Sequence, residues 1–198
     1  MKRALLVVDY TVDFVADDGR LTCGPPGQKL EERLVQLTGE FLQKEDYVVM
    51  AVDMHIPDDP FHPESQLFPE HNVVGSAGRR LYGRLDGIVN EYRGAANLYE
   101  MDKTRYSAFA GTDLDLRLRA RGISEVHLAG VCTDICVLHT AVDAYNLGYA
   151  IAVHADAVQS FDPEGHRWAL RHFQTVLGAT VLEGGTVIDV NEHEFGSR

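Results

Sequence analysis

Side chains able to take a proton, attack a carbonyl carbon or hold a metal stand at the ends of short apolar runs in this chain. Asp9 follows Ala4-Leu5-Leu6-Val7-Val8, Asp53 and His55 follow residues 47–52, Lys103 follows residues 97–101, and Cys136 comes shortly after residues 126–131. In open α/β sheets ligands bind beyond the carboxyl ends of the strands, where loops and helix N-termini converge. A carboxylate there can accept a thiol proton, and an ammonium can stabilise the thiolate and hold the carboxylate in place. Cys136 lies in Gly-Val-Cys-Thr-Asp-Ile-Cys-Val, a strand-to-helix turn, where the positive end of the helix dipole favours the thiolate. Taken singly, each residue has a plainer reading. Cys136 would be a small buried hydrophobe, Asp9 a turn cap, and Lys103 a solvated partner of Asp102. Their shared position at strand ends favours a site.

A second group points to a metal. Asp53, His55, His62, Glu64 and His71 fall on or beside residues 54–80, an irregular excursion with four prolines and three histidines. Imidazole with carboxylate oxygen suits zinc, iron or manganese, and three or four protein ligands leave room for water or substrate. Long loops without regular structure in compact domains usually carry function. Phe14, Phe68 and Tyr106 lie within a few residues of these polar groups and would stack a flat aromatic substrate.

The elements that must position these groups alternate. Strands are predicted near 3–9, 46–53, 97–102, 125–131, 149–154 and 179–182, with helices near 28–44, 113–121, 134–147 and 164–176. Near-continuous apolar strands separated by helices predict a parallel sheet covered on both faces, a three-layer α/β/α sandwich. Gly39 reads as a helix interior or a break, and Gly148 as the glycine just past a helix C-terminus. Residues 17–27 are a loop rich in turn formers.

With 198 residues, the chain 1–198 reads as a single domain, the 54–80 segment being its metal-binding excursion. A net charge of −12 argues against nucleic acid or an anionic membrane as partner. Residues 4–8 are too short for a signal-peptide core and no stretch is long enough to cross a bilayer, so a cytoplasmic enzyme is expected. Three cysteines in such a chain predict free thiols.

Six blocks carry a family resemblance: Asp-Tyr-Thr-Val-Asp-Phe (9–14), Asp-Met-His (53–55), Phe-His-Pro-Glu-Ser (61–65), Phe-Pro-Glu-His-Asn (68–72), Asp-Lys-Thr-Arg-Tyr-Ser-Ala-Phe (102–109) and Gly-Val-Cys-Thr-Asp-Ile-Cys-Val (130–137). Together, and in this order over almost the whole chain, they resemble the nicotinamidases of the isochorismatase-like cysteine hydrolase superfamily. The resemblance implies a six-stranded parallel sheet and a catalytic triad of Asp9, Lys103 and Cys136. It implies an oxyanion hole from the backbone N–H groups of Cys132 and Cys136, with a cis peptide at Val131-Cys132. Cysteine at 132 departs from the alanine or leucine more usual there. The metal ligands it implies are Asp53, His55 and His71 with Glu64, the fourth ligand in one branch. Other branches place a second histidine in this excursion, so His62 competes with Glu64. One divalent ion is implied, zinc first, with iron or manganese as alternatives.

The activity implied is hydrolysis of nicotinamide to nicotinic acid and ammonia through a thioester, in NAD salvage, with pyrazinamide as a further substrate. The ring would sit among Phe14, Phe68 and Tyr106. The alternative within the superfamily is an N-carbamoyl or ureide amidohydrolase, whose members generally lack the metal cluster. Isochorismatases cleave a vinyl ether and typically have no cysteine at this position. A catalytically silent binding module or a metal-storage protein is the reading from another class, and the intact nucleophile, base and lysine speak against it. A homo-oligomer is compatible with the sequence.

Overall fold

Alternate residues of each apolar run bury on opposite faces, which makes the runs strands of a doubly covered sheet. The computed structural model describes residues 2–191. Its strands are β1 (Lys2–Val8), β2 (Tyr47–Asp53), β3 (Leu98–Lys103), β4 (Ile123–Val131), β5 (Ala150–Gln159), β6 (Thr180–Glu183) and β7 (Thr186–Val187). They are ordered β3-β2-β1-β4-β5-β6-β7. The first six pair in parallel, as expected. The two-residue β7 adds an antiparallel edge to β6 across a Gly184-Gly185 turn, in which both residues have positive φ.

The helices are α1 (Val12–Val15), α2 (Gly24–Gln28), α3 (Glu31–Gln43), α4 (Arg84–Glu91), α5 (Leu114–Ala120), α6 (Leu138–Asn146) and α7 (Pro163–Thr175). Ala4, Leu6 and Val8 of β1 pack with Leu114 and Leu118 of α5, Ala141 of α6 and Phe173 of α7. Leu5 and Val7 pack against Leu34, Leu37 and Phe41 of α3 and Leu85 of α4 on the other face. These are the three layers the sequence predicts. No helix among the described residues is long and apolar enough to cross a membrane. The three cysteines are free and buried.

Some boundaries differ from expectation. The helix predicted over 28–44 begins at Glu31, and the turn-rich loop before it holds the separate α2, which Pro25 and Pro26 can open because the first helical N–H groups need no partner. Gly39 is an ordinary interior residue of α3. The helix predicted from 134 starts as a wide π turn, Thr133–Val137, that runs into α6, and Gly148 follows α6 at φ +80°. β5 continues to Gln159, past the predicted end at 154, through a register shift against β4 between Leu128 and Gly130. At Gly130, with φ +108°, a Cβ would lie 2.0 Å from the Val8 carbonyl oxygen, so only glycine fits beside β1. β2 and β3 extend the sheet to one side of the central β1–β4 pair, and β5 and β6 to the other. The chain therefore reverses its winding direction at this pair, and the crevice opens beyond Val8 and Val131.

Candidate active site

Asp9, one residue beyond β1, has φ +53° and is fully buried, so its carboxylate turns across the sheet end and not into solvent. Its Oδ1 accepts the backbone N–H of Asp53 at 2.7 Å, which ties the ends of β1 and β2 together. Its Oδ2 lies 2.7 Å from Lys103 Nζ. Lys103, the last residue of β3, is only 1% exposed. Its ammonium also stands 3.5 Å from Asp53 Oδ1, and donates to the Arg105 carbonyl at 3.1 Å and to Cys136 Sγ at 3.7 Å. The plain reading of Lys103 as a partner of Asp102 does not hold: Asp102 pairs with Arg79.

The charges explain the proton affinities. Burial raises Asp9 to about 6, with the Asp53 carboxylate adding to the effect and Lys103 opposing it. Burial would raise Asp53 too, but Lys103 and the imidazoles of His55 and His71 outweigh it and hold it well below the carboxylate range. The Cys136 thiol is pushed up by burial, against Lys103, with Asp9 and Asp53 adding to the rise. The expected pull of the helix dipole toward a thiolate is thus opposed by burial and by two adjacent carboxylates, which favour the protonated thiol beside Asp9.

Asp53 Oδ2 lies 2.7 Å from His55 Nε2 and 3.6 Å from His71 Nε2, which is itself 3.6 Å from Glu64 Oε2. All four residues are buried, and their donor atoms lie within 4.8 Å of one another. His71 Nδ1 bonds the Pro69 carbonyl at 2.8 Å, which fixes the proton there and leaves a lone pair on Nε2. That Nε2 is buried with no hydrogen-bond partner, as is Asp53 Oδ1. Separations of 3.6 Å are long for hydrogen bonds but close to the roughly 3.4 Å between two tetrahedral zinc ligands. The donor set fits a divalent cation. His62 is placed otherwise: Nε2 meets the Thr104 carbonyl at 2.9 Å and Nδ1 accepts the Glu64 N–H at 3.3 Å, so both ring nitrogens are occupied.

Cys136 and Cys132 line a narrow cavity together with Phe14, Phe68, Tyr106 and Glu64. All three predicted aromatics thus meet between the thiol and the four-donor cluster. The peptide Val131-Cys132 is cis, and the Cys132 carbonyl accepts the N–H groups of Ile135 and Val137 at 3.1 Å each. Thr140 Oγ1 donates to the Cys136 carbonyl at 2.7 Å and accepts the Ala108 N–H at 3.0 Å, seating the nucleophile's turn against the segment that bears Tyr106.

Sequence reasoning missed Leu21, Ile135 and Phe161 on the cavity wall. Phe161 was hidden because β5 was ended too early; a bulky apolar residue just past the true strand end was the available signal. It also missed Arg79, whose Nε donates to the Asp53 carbonyl at 2.9 Å while its Nη2 reaches the Val52 carbonyl at 3.3 Å and Asp102. Arg79 thereby clamps the ends of β2 and β3.

Doubly wound, with a buried carboxylate, ammonium and thiol at the switch between strands, residues 3–192 match the isochorismatase domain, and the chain belongs to that family. Over 183 residues it is 60% identical to the isochorismatase family protein PncA of Bacillus subtilis, covering 92% of this chain and 100% of the relative. The crystal structure of the nicotinamidase/pyrazinamidase PncA from B. subtilis superimposes with a TM-score of 0.91 at 58% identity, covering 92% of this chain and 100% of that one. N-carbamoylsarcosine amidase from Thermoplasma acidophilum gives 0.79 at 36% identity, with 96% and 100% covered. The pyrazinamidase of Pyrococcus horikoshii in complex with zinc gives 0.80 at 28%, with 92% and 99% covered.

Proposed function

We propose that this chain is a metal-dependent nicotinamidase that converts nicotinamide to nicotinic acid and ammonia through a thioester on Cys136. One observation carries the reading: an aromatic-lined cavity at the Cys136 thiol is bounded also by Glu64, a member of a buried four-donor cluster, with Asp9 and Lys103 at the thiol. Asp53, His55, Glu64 and His71 are the ligands proposed, zinc being the favoured ion; the engagement of both His62 ring nitrogens supports Glu64 over His62. A divalent ion held there would supply a Lewis-acid anchor for a pyridine nitrogen and would polarise water.

The residues perform the rest. Phe14, Phe68 and Tyr106 stack the ring and present the carboxamide to Cys136, and such positioning is worth several kcal/mol of barrier. Asp9 takes the thiol proton as sulfur attacks the amide carbon; a pKa near 6 suits a group that must accept a proton and return it. The oxyanion is received by the backbone N–H groups of Cys132 and Cys136. Asp9 returns its proton to the departing ammonia, then deprotonates the water that cleaves the thioester. The proton taken from water passes to the Cys136 sulfur as the thioester opens, and Lys103 stays charged, favouring the ionised form of Asp9 that accepts each proton.

The test is ammonia release from nicotinamide, pyrazinamide and an N-carbamoyl amino acid, with metal content measured on the same preparation. Nicotinamide is expected to be hydrolysed, pyrazinamide as a secondary substrate, and Cys136→Ala to bind nicotinamide without turnover. Preferential cleavage of the N-carbamoyl compound by a metal-free protein would move the assignment to the amidase branch.

A further inference from the structure

Two thiols outside the proposed chemistry touch behind the cavity wall. Cys23 Sγ and Cys132 Sγ lie 3.5 Å apart, buried, 109 residues apart in sequence. A disulfide needs about 2.05 Å between sulfurs, so closure asks for about 1.5 Å shared between two segments. Both segments belong to the wall. Cys132 lines the cavity directly. Cys23 donates its N–H to the Phe14 carbonyl at 2.8 Å, and Leu21 donates to the Asp13 carbonyl at 3.0 Å, so the loop moves with α1 and with the cavity residues Leu21 and Phe14. Behind it α2 leaves no slack: a Cβ on Gly27 would lie 2.9 Å from Cys23 Cβ.

We propose that Cys23 and Cys132 are a reversible oxidation site, joined by a peroxide into a disulfide that draws the Leu21–Phe14 wall onto the nucleophile's turn and lowers amide hydrolysis. In the first step the Cys23 sulfur attacks one peroxide oxygen, the O–O bond breaks, and a sulfenic acid and water result. The Cys132 sulfur then attacks the Cys23 sulfur, the S–O bond breaks, and the hydroxyl leaves with the thiol proton as a second water. Two thiols are oxidised, one peroxide is reduced to two waters, and Cys136 keeps its thiol. Contact with Cys23 and burial push the Cys132 thiol up, so its proton is still in place to leave with the hydroxyl as the disulfide forms. A dithiol reductant reverses the link. The functional half rests on the proposed hydrolysis; the chemical half does not.

The experiment treats the metal-loaded enzyme with hydrogen peroxide and follows three readouts: non-reducing peptide mapping, alkylation of Cys136, and kcat/KM for nicotinamide before and after dithiothreitol. A peptide linking residues 23 and 132 is expected while Cys136 still alkylates, with kcat/KM lowered on the order of tenfold or more, as for an ångström-scale misplacement, and restored by dithiothreitol. Cys23→Ser is expected to keep basal activity and lose both the link and the reversible component. The link is read by mass whether or not nicotinamide is a substrate, which separates failure here from failure of the functional reading. Absence of the 23–132 peptide overturns the proposal, as does a linked enzyme with unchanged kcat/KM, or a Cys23→Ser variant that loses and regains activity like the wild type.

Discussion

Replacing Lys103 by methionine keeps most of the stem and removes the one ammonium set between two buried carboxylates, Asp9 at 2.7 Å and Asp53 at 3.5 Å. Two buried anions then face each other across the Asp9–Asp53 hydrogen bond, and the least costly response is for Asp9 to take a proton. Holding a carboxyl of ordinary pKa 3.8 protonated at pH 7 costs about 4 kcal/mol, at 1.36 kcal/mol per pKa unit. That agrees with the roughly 3–5 kcal/mol lost when one partner of a buried ion pair is removed. A solvated lysine would contribute about 0–1 kcal/mol, so the two cases are far apart. Urea unfolding of Lys103→Met at pH 7, with chelator present so that a bound metal does not substitute for the lost charge, is expected to show a loss near 4 kcal/mol. With Asp9 protonated the general base is gone, and kcat/KM is expected to fall by about 10²–10⁴. A stability change within about 0.5 kcal/mol, the range of ordinary surface substitutions, would refute the electrostatic reasoning.

Three further outcomes are expected. Glu64→Ala weakens zinc binding, measured by chelator competition, far more than His62→Ala does, because the His62 nitrogens are already engaged by Thr104 and Glu64 backbone groups; equal losses would remove the distinction. His154 bonds His127 at 2.9 Å in the core, and burial, with His127, Arg33 and Arg3, lowers its pKa from 6.5 to about 3. The unfolded chain therefore binds a proton that the folded one refuses between those values, so stability is full above about pH 6.5 and drains as pH falls. His154→Gln, less stable at pH 7, should lose stability on acidification less steeply, by up to about 1.4 kcal/mol per pH unit; parallel curves between pH 7 and 4.5 would disprove the linkage. Gly130→Ala forces a Cβ onto the Val8 backbone at φ +108° and is expected to cost at least about 3 kcal/mol, read as a large drop in Tm.

What the sequence made legible was set by local rules. Apolar runs marked six strands, and the residue just past each run lay at the chemical end of the sheet, so Asp9, Asp53, Lys103 and the Cys136 turn could be named before any coordinate. The histidines and Glu64 were visible because polar ligands cluster on one irregular segment. What stayed hidden depends on contacts between distant residues. α4 has few apolar positions, Leu85, Ile88 and Val89 around Gly87, and forms because Leu85 and Val89 find the α3 face. The engagement of His62 depends on Thr104, whose carbonyl arrives from another strand end. Arg79 and Phe161 acquire meaning only from the strand ends they meet. At Cys136 the helix terminus is visible in sequence, whereas the depth of burial and the company of Asp53, which push the thiol up, are not.

The reversal of winding at β1 and β4 also orders the assembly of the molecule in time. β1, β2 and β3 pair among themselves using residues 2–103, which already bring Asp9, Lys103 and the four-donor cluster to one end. Val8 meets Gly130 only when β4 docks on the free edge of β1, more than a hundred residues downstream, and the nucleophile's turn follows that strand. Long-range parallel pairing of this kind is slow, because loop-closure entropy is spent before the contacts form. In chain order the carboxylate, the lysine and the four-donor cluster all precede the thiol, and the constellation is complete only once the central strand pair has closed.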